Sequence, residues 1–256
     1  MDKRLTFNED IENYEKWRPT YCDELFKDII AYSQIEQGKK AIEIGIGTGQ
    51  ATRHLLETGC ELTAIELGKD LAEYSKLKFQ EYNNFTVCNT AFEEYDCPEG
   101  SIDLIYSATA FHWIPEEVGY PKVSKLLKPN GTLALFWNRP FVSRDDDELH
   151  QNIQSIYQKY RPSNSNIMEH DAERYECLKK TIQAYGFSEL EFKLYHLTRT
   201  FSSSDYIALL NTYSDHRAMP STTRVLFEKE IREAILRYGD VLNVYDTIDL
   251  YLARKE

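Results

Sequence analysis

The feature that most constrains the fold is a run of glycines directly after a short apolar segment. Residues 41–49 read Ala-Ile-Glu-Ile-Gly-Ile-Gly-Thr-Gly, with three glycines at alternate positions. Glycine permits the positive φ angles of a tight strand-to-helix turn, and its missing Cβ lets a ligand lie against the backbone. The amides that open the following helix carry partial positive charge and suit an anionic or carboxylate-bearing ligand. The segment therefore predicts a buried strand, a ligand-binding turn and a helix.

The glycine spacing separates this turn from two other nucleotide-binding motifs. In the dinucleotide fingerprint G-x-G-x-x-G, counted from Gly45, the third glycine would be residue 50, which is Gln50. The sequence also lacks the Gly-Lys-Ser/Thr of a phosphate-binding P-loop at this position. A turn with a purely structural role remains an alternative at this point.

An acid ends the next predicted strand. Residues 62–66 read Leu-Thr-Ala-Ile-Glu, and Glu66 lies 17 residues beyond Gly49. An acid at a comparable separation meets the ribose hydroxyls in nucleotide-binding sheets, because a carboxylate can accept both hydrogen bonds of a vicinal diol. Glu66 is therefore predicted to bind a ribose, with a solvated acid at a strand end as the alternative.

The remaining pattern predicts an α/β fold, with helices on both faces of a mostly parallel sheet. Short apolar segments indicate strands at 40–44, 61–66, 85–88, 101–106 and 131–137, and helical segments are predicted at 20–33, 48–58, 69–82 and 116–127. Residues 143–160 and 171–185 are predicted to be two helices of an insertion or lid. Residues 186–200 and 245–253 are expected to return to the sheet as an antiparallel edge pair.

Composition narrows the class of partner. The chain has 42 acidic against 30 basic residues, a formal charge of −12, which disfavours general binding to duplex nucleic acid or to an anionic membrane. The sequence shows no signal-peptide pattern and no apolar stretch long enough to span a membrane, so we expect a cytoplasmic protein. Five cysteines without a Cys-x-x-Cys pair, and histidines without metal-ligand spacing, predict neither disulfides nor a metal site.

Taken together, these motifs resemble the class I S-adenosylmethionine-dependent methyltransferases, especially the small-molecule branch with trans-aconitate-type and quinone-biosynthesis-type enzymes. The resemblance covers residues 14–138, about half of the chain. Besides the glycine turn and Glu66, it rests on Asn-Thr-Ala-Phe-Glu at 89–93, Ala-Phe-His-Trp-Ile at 110–114 and Leu-Leu-Lys-Pro-Asn-Gly-Thr-Leu at 126–133. It implies S-adenosylmethionine as cofactor and a Rossmann-like sheet of seven strands, mostly parallel with an antiparallel edge strand, and a helical insertion after strand five.

The resemblance also implies roles for individual residues. The three glycines would pack against the methionine part of the cofactor, and Glu43 would hold its amino group. The segment from Asn89 to Phe92 resembles the adenine-binding segment, although many relatives have Asp at its first position; Phe92 could equally be an ordinary core residue. Tyr14 and Arg18 match a lid segment, or merely pin the first helix to the sheet. The full set of implied cofactor-binding residues is Tyr14, Arg18, Glu43, Gly45, Gly47, Gly49, Glu66, Leu67, Asn89, Thr90, Ala91, Phe92 and Ser107.

The acceptor side is less defined by the sequence. His112 follows the fourth strand and is the candidate general base, because a histidine titrates near neutral pH; alternatively its ring shapes the loop, with Trp113 packed beneath. Arginines could bind an acidic acceptor through charge-assisted bonds, and the many aromatic residues fit a ring-bearing acceptor equally well. The candidate substrate-binding residues are Trp113, Arg139, Tyr213, His216 and Arg217.

Three functions remain in competition. The first is methyl transfer to a small molecule at an oxygen, carbon or nitrogen atom; the second is a nicotinamide-dependent oxidoreductase, against which residue 50 counts; the third is a non-catalytic protein that binds S-adenosylmethionine. The predicted divisions are N-terminal lid helices at 1–35, the cofactor-binding core at 36–140, a helical cap at 141–185, and a segment at 186–256 that completes the sheet and the acceptor pocket. A monomer or homodimer is expected.

Overall fold

A seven-stranded sheet forms the centre of the computed structural model, which describes residues 11–162 and 168–256. The strand order is β3-β2-β1-β4-β5-β7-β6. The strands are β1 (Lys40–Ile44), β2 (Glu61–Glu66), β3 (Phe85–Asn89), β4 (Ile102–Ala108), β5 (Leu127–Phe141), β6 (Phe187–Phe201) and β7 (Leu242–Lys255).

The direction of the strands confirms the predicted α/β class and the Rossmann-like sheet. Strands β1 to β5 pair in parallel, and β7 runs antiparallel to both of its neighbours, β5 and β6. The antiparallel strand thus lies one position inside the edge, which β6 forms. The short apolar runs of β1 and β4 are buried on both faces, as expected for central parallel strands.

Helices cover both faces of this sheet. The described residues contain α1 (Ile11–Trp17), α2 (Asp23–Ser33), α3 (Arg53–Leu56), α4 (Lys69–Lys78), α5 (Glu116–Leu126), α6 (Glu148–Tyr160), α7 (Ala172–Ala184), α8 (Ser203–Leu210), α9 (Ser214–Arg217) and α10 (Ser221–Arg237). None of them is long and apolar enough to cross a membrane.

The helix predicted at 48–58 is much shorter in the structure. Residues 47–52 form consecutive turns, and only Arg53–Leu56 is helical. The cause is Gly49, whose φ of +84° lies outside the helical region and whose N–H bonds to the Ile46 carbonyl in a tight turn. The prediction was wrong because it began the helix directly at the glycine run.

Three apolar clusters bring the functional elements together. One lies between the sheet and α2, α3 and α4, and a second lies on the opposite face beneath α5 and α7. The third joins α6, α8 and α10, and Trp17 of α1 and Tyr213 pack against it. This third cluster places the C-terminal helices and α1 at the same end of the molecule, beside the carboxyl ends of the parallel strands.

Candidate active site

A cavity opens where the parallel strands end. Its empty volume is about 1150 Å³, including its open mouth. Eleven residues singled out in the sequence line it: Tyr14, Arg18, Glu43, Gly45, Glu66, Leu67, Thr90, Ala91, Phe92, Trp113 and Tyr213. Open α/β sheets bind ligands at this edge, near the point where the strand order reverses, which here lies between β1 and β4.

Glu66 is held firmly at the end of β2. Its Oε2 accepts a hydrogen bond of 2.9 Å from the Gly47 N–H, and its Oε1 accepts one of 2.8 Å from the Gly68 N–H. The side chain is only 8% exposed, and burial raises the pKa of its carboxyl despite these bonds. Each carboxylate oxygen can accept a second hydrogen bond, so the group remains able to bind a diol.

Glu43 lies deeper, inside β1 and 1% exposed. The hydroxyls of Thr52 and Tyr106 donate to its Oε2 at 2.7 and 2.8 Å. Burial nonetheless raises the pKa of Glu43 to about 7. Because the side chain also lines the cavity, a cationic group of a ligand would find an acceptor there and would favour the ionised form.

The three glycines of the turn have different surroundings. Gly45 lines the cavity, has φ +72°, and comes so close to Ala110 that a Cβ would lie 2.5 Å from the Ala110 Cβ. A Cβ on Gly47 would lie 3.3 Å from the Tyr14 ring, and one on Gly49 would lie 2.3 Å from the Phe79 ring. Gly47 and Gly49 are not among the residues that line the cavity. The turn thus needs its glycines for close protein contacts as well as for access.

Asn89 and Ser107 bind the backbone around the site. The Asn89 side-chain amide donates to the Glu66 and Leu67 carbonyls at 2.9 and 3.0 Å, and therefore fixes the residues that follow β2. The Ser107 hydroxyl donates to the Ile44 carbonyl at 2.9 Å and links β4 to β1. Neither residue lines the cavity.

Helix α1 covers the glycine turn. Lys78 of α4 donates to Glu15 Oε1 at 2.6 Å and to the Thr48 carbonyl at 2.8 Å, so it ties α1 to the turn. Arg18 follows α1 and lies over the rings of both Tyr14 and Tyr213. These contacts hold Tyr14 and Arg18 at the cavity wall.

His112 lies in a short 3-10 turn, Phe111–Trp113, after β4. The Trp137 indole N–H donates to its Nδ1 at 3.1 Å. Although the residue is exposed overall, loss of solvent around the ring, with nearby Arg139 and Arg18, lowers its pKa to about 4. The neutral ring therefore carries its proton on Nε2 and is a donor there. It is outside the cavity lining and presents no free basic nitrogen in this arrangement.

Three of the five candidate substrate-binding residues do not line the cavity. Arg139 pairs with the buried Asp249, at 3.3 Å from its Oδ1. His216 is buried beside Phe227, and its Nε2 lies 2.9 Å from the Tyr157 hydroxyl. Neither of these residues nor Arg217 lines the cavity.

Sequence reasoning assigned no role to five polar residues of the cavity wall: Tyr21, Gln50, Glu93, Thr109 and Asn138. The Tyr21 and Thr109 hydroxyls are 2.9 Å apart, and Thr109 Oγ1 accepts from the Asn138 backbone N–H at 3.1 Å. A usable signal existed, because Thr109 and Asn138 stand near the carboxyl ends of two adjacent predicted strands, where ligands of such sheets lie.

The side chains of the cavity fit S-adenosylmethionine. A buried carboxylate with unused lone pairs suits a ribose, an aromatic ring at Phe92 suits a base, and Glu43 offers an acceptor for an ammonium group. The described residues contain no cluster of three or more His, Cys, Asp or Glu side chains that could hold a metal ion.

Comparisons with known proteins agree with this geometry. Residues 42–135 match a family model described as a methyltransferase domain. The chain is 26% identical over 231 residues to a Schizosaccharomyces pombe protein named as an uncharacterized methyltransferase, covering 90% of this chain and 87% of that protein. A Dictyostelium discoideum protein, also named as a methyltransferase, is 26% identical over 258 residues, covering 96% and 93%. A solved structure from Anaeromyxobacter dehalogenans, named as a type II methyltransferase, shares the fold with a TM-score of 0.64 at 19% identity, covering 93% and 97%.

Proposed function

We propose that the chain, whose residues 42–135 match a methyltransferase domain, is a class I S-adenosylmethionine-dependent enzyme that methylates a small molecule bound in the cavity at the carboxyl ends of β1, β4 and β5. The observation that carries the proposal is the cavity itself, which has a carboxylate for the ribose at one end and apolar and hydrogen-bonding side chains at the other. A partly enclosed cavity of this kind suits a small acceptor better than a macromolecule.

The cofactor-binding roles follow from the position of each side chain. Glu66 would accept from the ribose hydroxyls, and Leu67 with Thr90, Ala91 and Phe92 would surround the adenine. Glu43 and Arg18 would bind the charged methionine end, Glu43 its ammonium and Arg18 its carboxylate. Four residues would act indirectly. Asn89 and Ser107 bind the backbone around the site, and Gly47 and Gly49 shape the turn.

The branch of the family is part of the proposal. The motifs at 43–49 and 110–114 support the small-molecule branch that includes trans-aconitate-type and quinone-biosynthesis-type enzymes. Tyr213 lines the cavity, whereas no described residue of 141–185 does. We therefore propose that residues 186–256 complete the acceptor side and that residues 141–185 form a helical cap outside the cavity lining.

The reaction requires a proton to be removed only where the acceptor atom is a poor nucleophile, such as a hydroxyl or a carbon acid. When bound, S-adenosylmethionine would supply its methyl group to a nucleophilic acceptor atom, with the methyl–sulfur bond breaking and S-adenosylhomocysteine leaving. The protein aligns the acceptor and excludes water, and Tyr14, Arg18 and Tyr213 cover the cavity for this purpose. His112 stabilises the turn that carries Trp113, through its bond to Trp137, and we assign no proton abstraction to it.

Isotope tracing tests the proposed function. The purified protein is incubated with a low-molecular-weight metabolite extract and S-adenosylmethionine whose methyl group carries ¹³C, and products are identified by mass spectrometry. We expect at least one metabolite to gain a labelled methyl group, and no gain with Glu66→Ala.

Two outcomes would contradict the proposal. Binding of S-adenosylhomocysteine without any labelled product would favour a non-catalytic binding protein. Binding of NAD(H) without binding of S-adenosylhomocysteine would favour an oxidoreductase. A matched control is Asp103→Ala, because Asp103 pairs with Lys128 at 2.8 Å and does not line the cavity; its labelled products should match those of the wild type.

A further inference from the structure

The strongest unexplained feature of the cavity is the side chain of Asn138 on β5. Asn138 is 7% exposed and lines the cavity, yet neither its Oδ1 nor its Nδ2 has a hydrogen-bond partner among the residues that the structure describes. A buried amide without partners destabilises a fold, because the hydrogen bonds that it makes to water in the unfolded chain are lost. Such a group calls for a functional explanation, and its position on the cavity wall points to a ligand.

The surrounding backbone supports this role. The Asn138 N–H donates to Thr109 Oγ1, and the Thr109 hydroxyl also contacts the Tyr21 hydroxyl. Thr109 has φ +53°, a left-handed conformation that is costly for a β-branched residue and typical of functional sites. The Thr109 and Tyr21 hydroxyls and the Asn138 side chain thus all belong to the cavity wall, which holds Thr109 in this strained conformation.

Asn138 lies far from Glu66, the predicted ribose-binding acid. In the strand order β2-β1-β4-β5, Glu66 ends β2 and Asn138 lies on β5, three strand spacings away. At about 4.8 Å per spacing, the two side chains are attached about 14 Å apart. The ribose is therefore assigned to one end of the cavity and Asn138 to the other; Trp113, Pro140 and Tyr213 also line the cavity.

We infer that Asn138 binds the methyl acceptor, and that the acceptor carries a group with both a hydrogen-bond donor and an acceptor, such as a carboxamide or a hydroxyl beside a carbonyl. This inference rests on the proposed function and names the substrate class of that same site. Oδ1 needs a donor and Nδ2 needs an acceptor. A bare carboxylate satisfies Nδ2 only and leaves Oδ1 facing a like charge. The rings of Trp113 and Tyr213, which line the same cavity, suit an apolar or cyclic body for this molecule.

The inference predicts an unusual combination of stability and activity. Asn138→Leu keeps the approximate volume and removes the unpartnered amide, so it should raise the melting temperature of the ligand-free protein by about 2–4 °C. It should leave the Kd for S-adenosylhomocysteine within twofold, and it should lower the rate of labelled methyl transfer into the metabolite extract at least tenfold.

Asn84→Leu is the matched control, because Asn84 is a partly buried amide that does have partners. Its Nδ2 donates to the carbonyls of Leu56 and Cys60 at 3.3 and 2.7 Å. This variant should lower the melting temperature and leave methyl transfer by the folded protein unchanged. The comparison separates an amide kept for a ligand from one kept for the fold.

Each result decides the inference. A lower melting temperature for Asn138→Leu would mean that the amide stabilises the fold, for example through bound water, and would overturn it. Unchanged methyl transfer would also overturn it, as would a labelled product whose acceptor has no group combining donor and acceptor. The proposed function fails separately, when the wild type neither binds S-adenosylhomocysteine nor labels any metabolite; the melting temperatures then decide the role of Asn138 alone.

Discussion

At the scale of single residues, the cavity contains acidic side chains that are deeply buried. The sequence reveals the acids but not their burial. Glu43 and Glu66 could be identified as acids flanking a glycine turn, and their positions at the cavity follow from that pattern. Their raised pKa values could not be identified, because burial depends on tertiary packing, as where Thr52 and Tyr106 fold against Glu43. The unpartnered amide of Asn138 was equally invisible, since a sequence does not show which polar groups lack partners.

Glu43 should make stability depend on pH. Its pKa in the folded protein is about 7, above the ordinary 4.5, so from pH 4.5 upward the folded state keeps a proton that the unfolded state has released. The free energy of unfolding therefore falls as pH rises, and the penalty is complete above pH 7. Glu43→Gln removes the penalty. Urea denaturation should show that the variant gains about 1–3 kcal/mol over the wild type at pH 8 relative to pH 5; an equal difference at both pH values would contradict the raised pKa.

Gly49 should be intolerant of even one methyl group. At φ +84° any side chain is strained, and a Cβ would lie 2.3 Å from the buried Phe79 ring. We expect Gly49→Ala to lower the free energy of unfolding by about 2–4 kcal/mol, from backbone strain and overpacking together.

Gly239→Ala is the control for this effect, because Gly239 has φ +88° but no atom within 4 Å of its built Cβ. Backbone strain alone should cost about 1–2 kcal/mol there. Denaturant titration of both variants measures the difference, and equal losses would show that contact with Phe79 is unimportant.

At the scale of secondary-structure elements, the sequence predicted strands better than helix ends and covers. Each predicted strand overlaps an observed one, because a buried apolar run bounded by glycine or polar residues has few other uses. Helix α3 was predicted too long, since the positive φ of Gly49 delays its start. The cover formed by α1 depends on Lys78, whose partners lie 63 and 30 residues away in sequence, a separation that local patterns do not encode.

Lys78 should control how well α1 covers the cofactor. Lys78→Met keeps the apolar stem of the side chain but removes the bonds to Glu15 and Thr48. Since both partners of the ion pair are partly exposed, we expect a loss of about 1 kcal/mol, which is about a fivefold weaker Kd for S-adenosylhomocysteine. Lys76→Met, at an exposed position of the same helix, should bind as the wild type does. Equal Kd values for Lys78→Met and Lys76→Met in calorimetry would exclude α1 from the site.

At the scale of the whole molecule, the two ends of the cavity differ in how far the sequence predicts them. Glu43, Glu66 and the segment from Thr90 to Phe92 lie within about fifty residues of one another, in consecutive strand-and-helix units whose order the sequence displays. The proposed acceptor end combines Tyr21, Asn138 and Tyr213, which only tertiary packing brings together. For that reason Arg139, His216 and Arg217, chosen by residue type, do not line the cavity, whereas Asn138 does.

The central claim is that Glu66 binds the ribose of the cofactor in this cavity. Calorimetry tests it with two ligands, S-adenosylhomocysteine and its analogue without the 2′- and 3′-hydroxyls, each titrated into the wild type and Glu66→Gln. The wild type should prefer the hydroxylated ligand by at least about tenfold, since hydrogen bonds to a charged group are worth about 1.5–3 kcal/mol. In Glu66→Gln this preference should fall below about threefold, because the amide is uncharged and offers fewer acceptor positions. Equal affinities of the wild type for the two ligands, or a preference that the variant retains in full, would contradict the account.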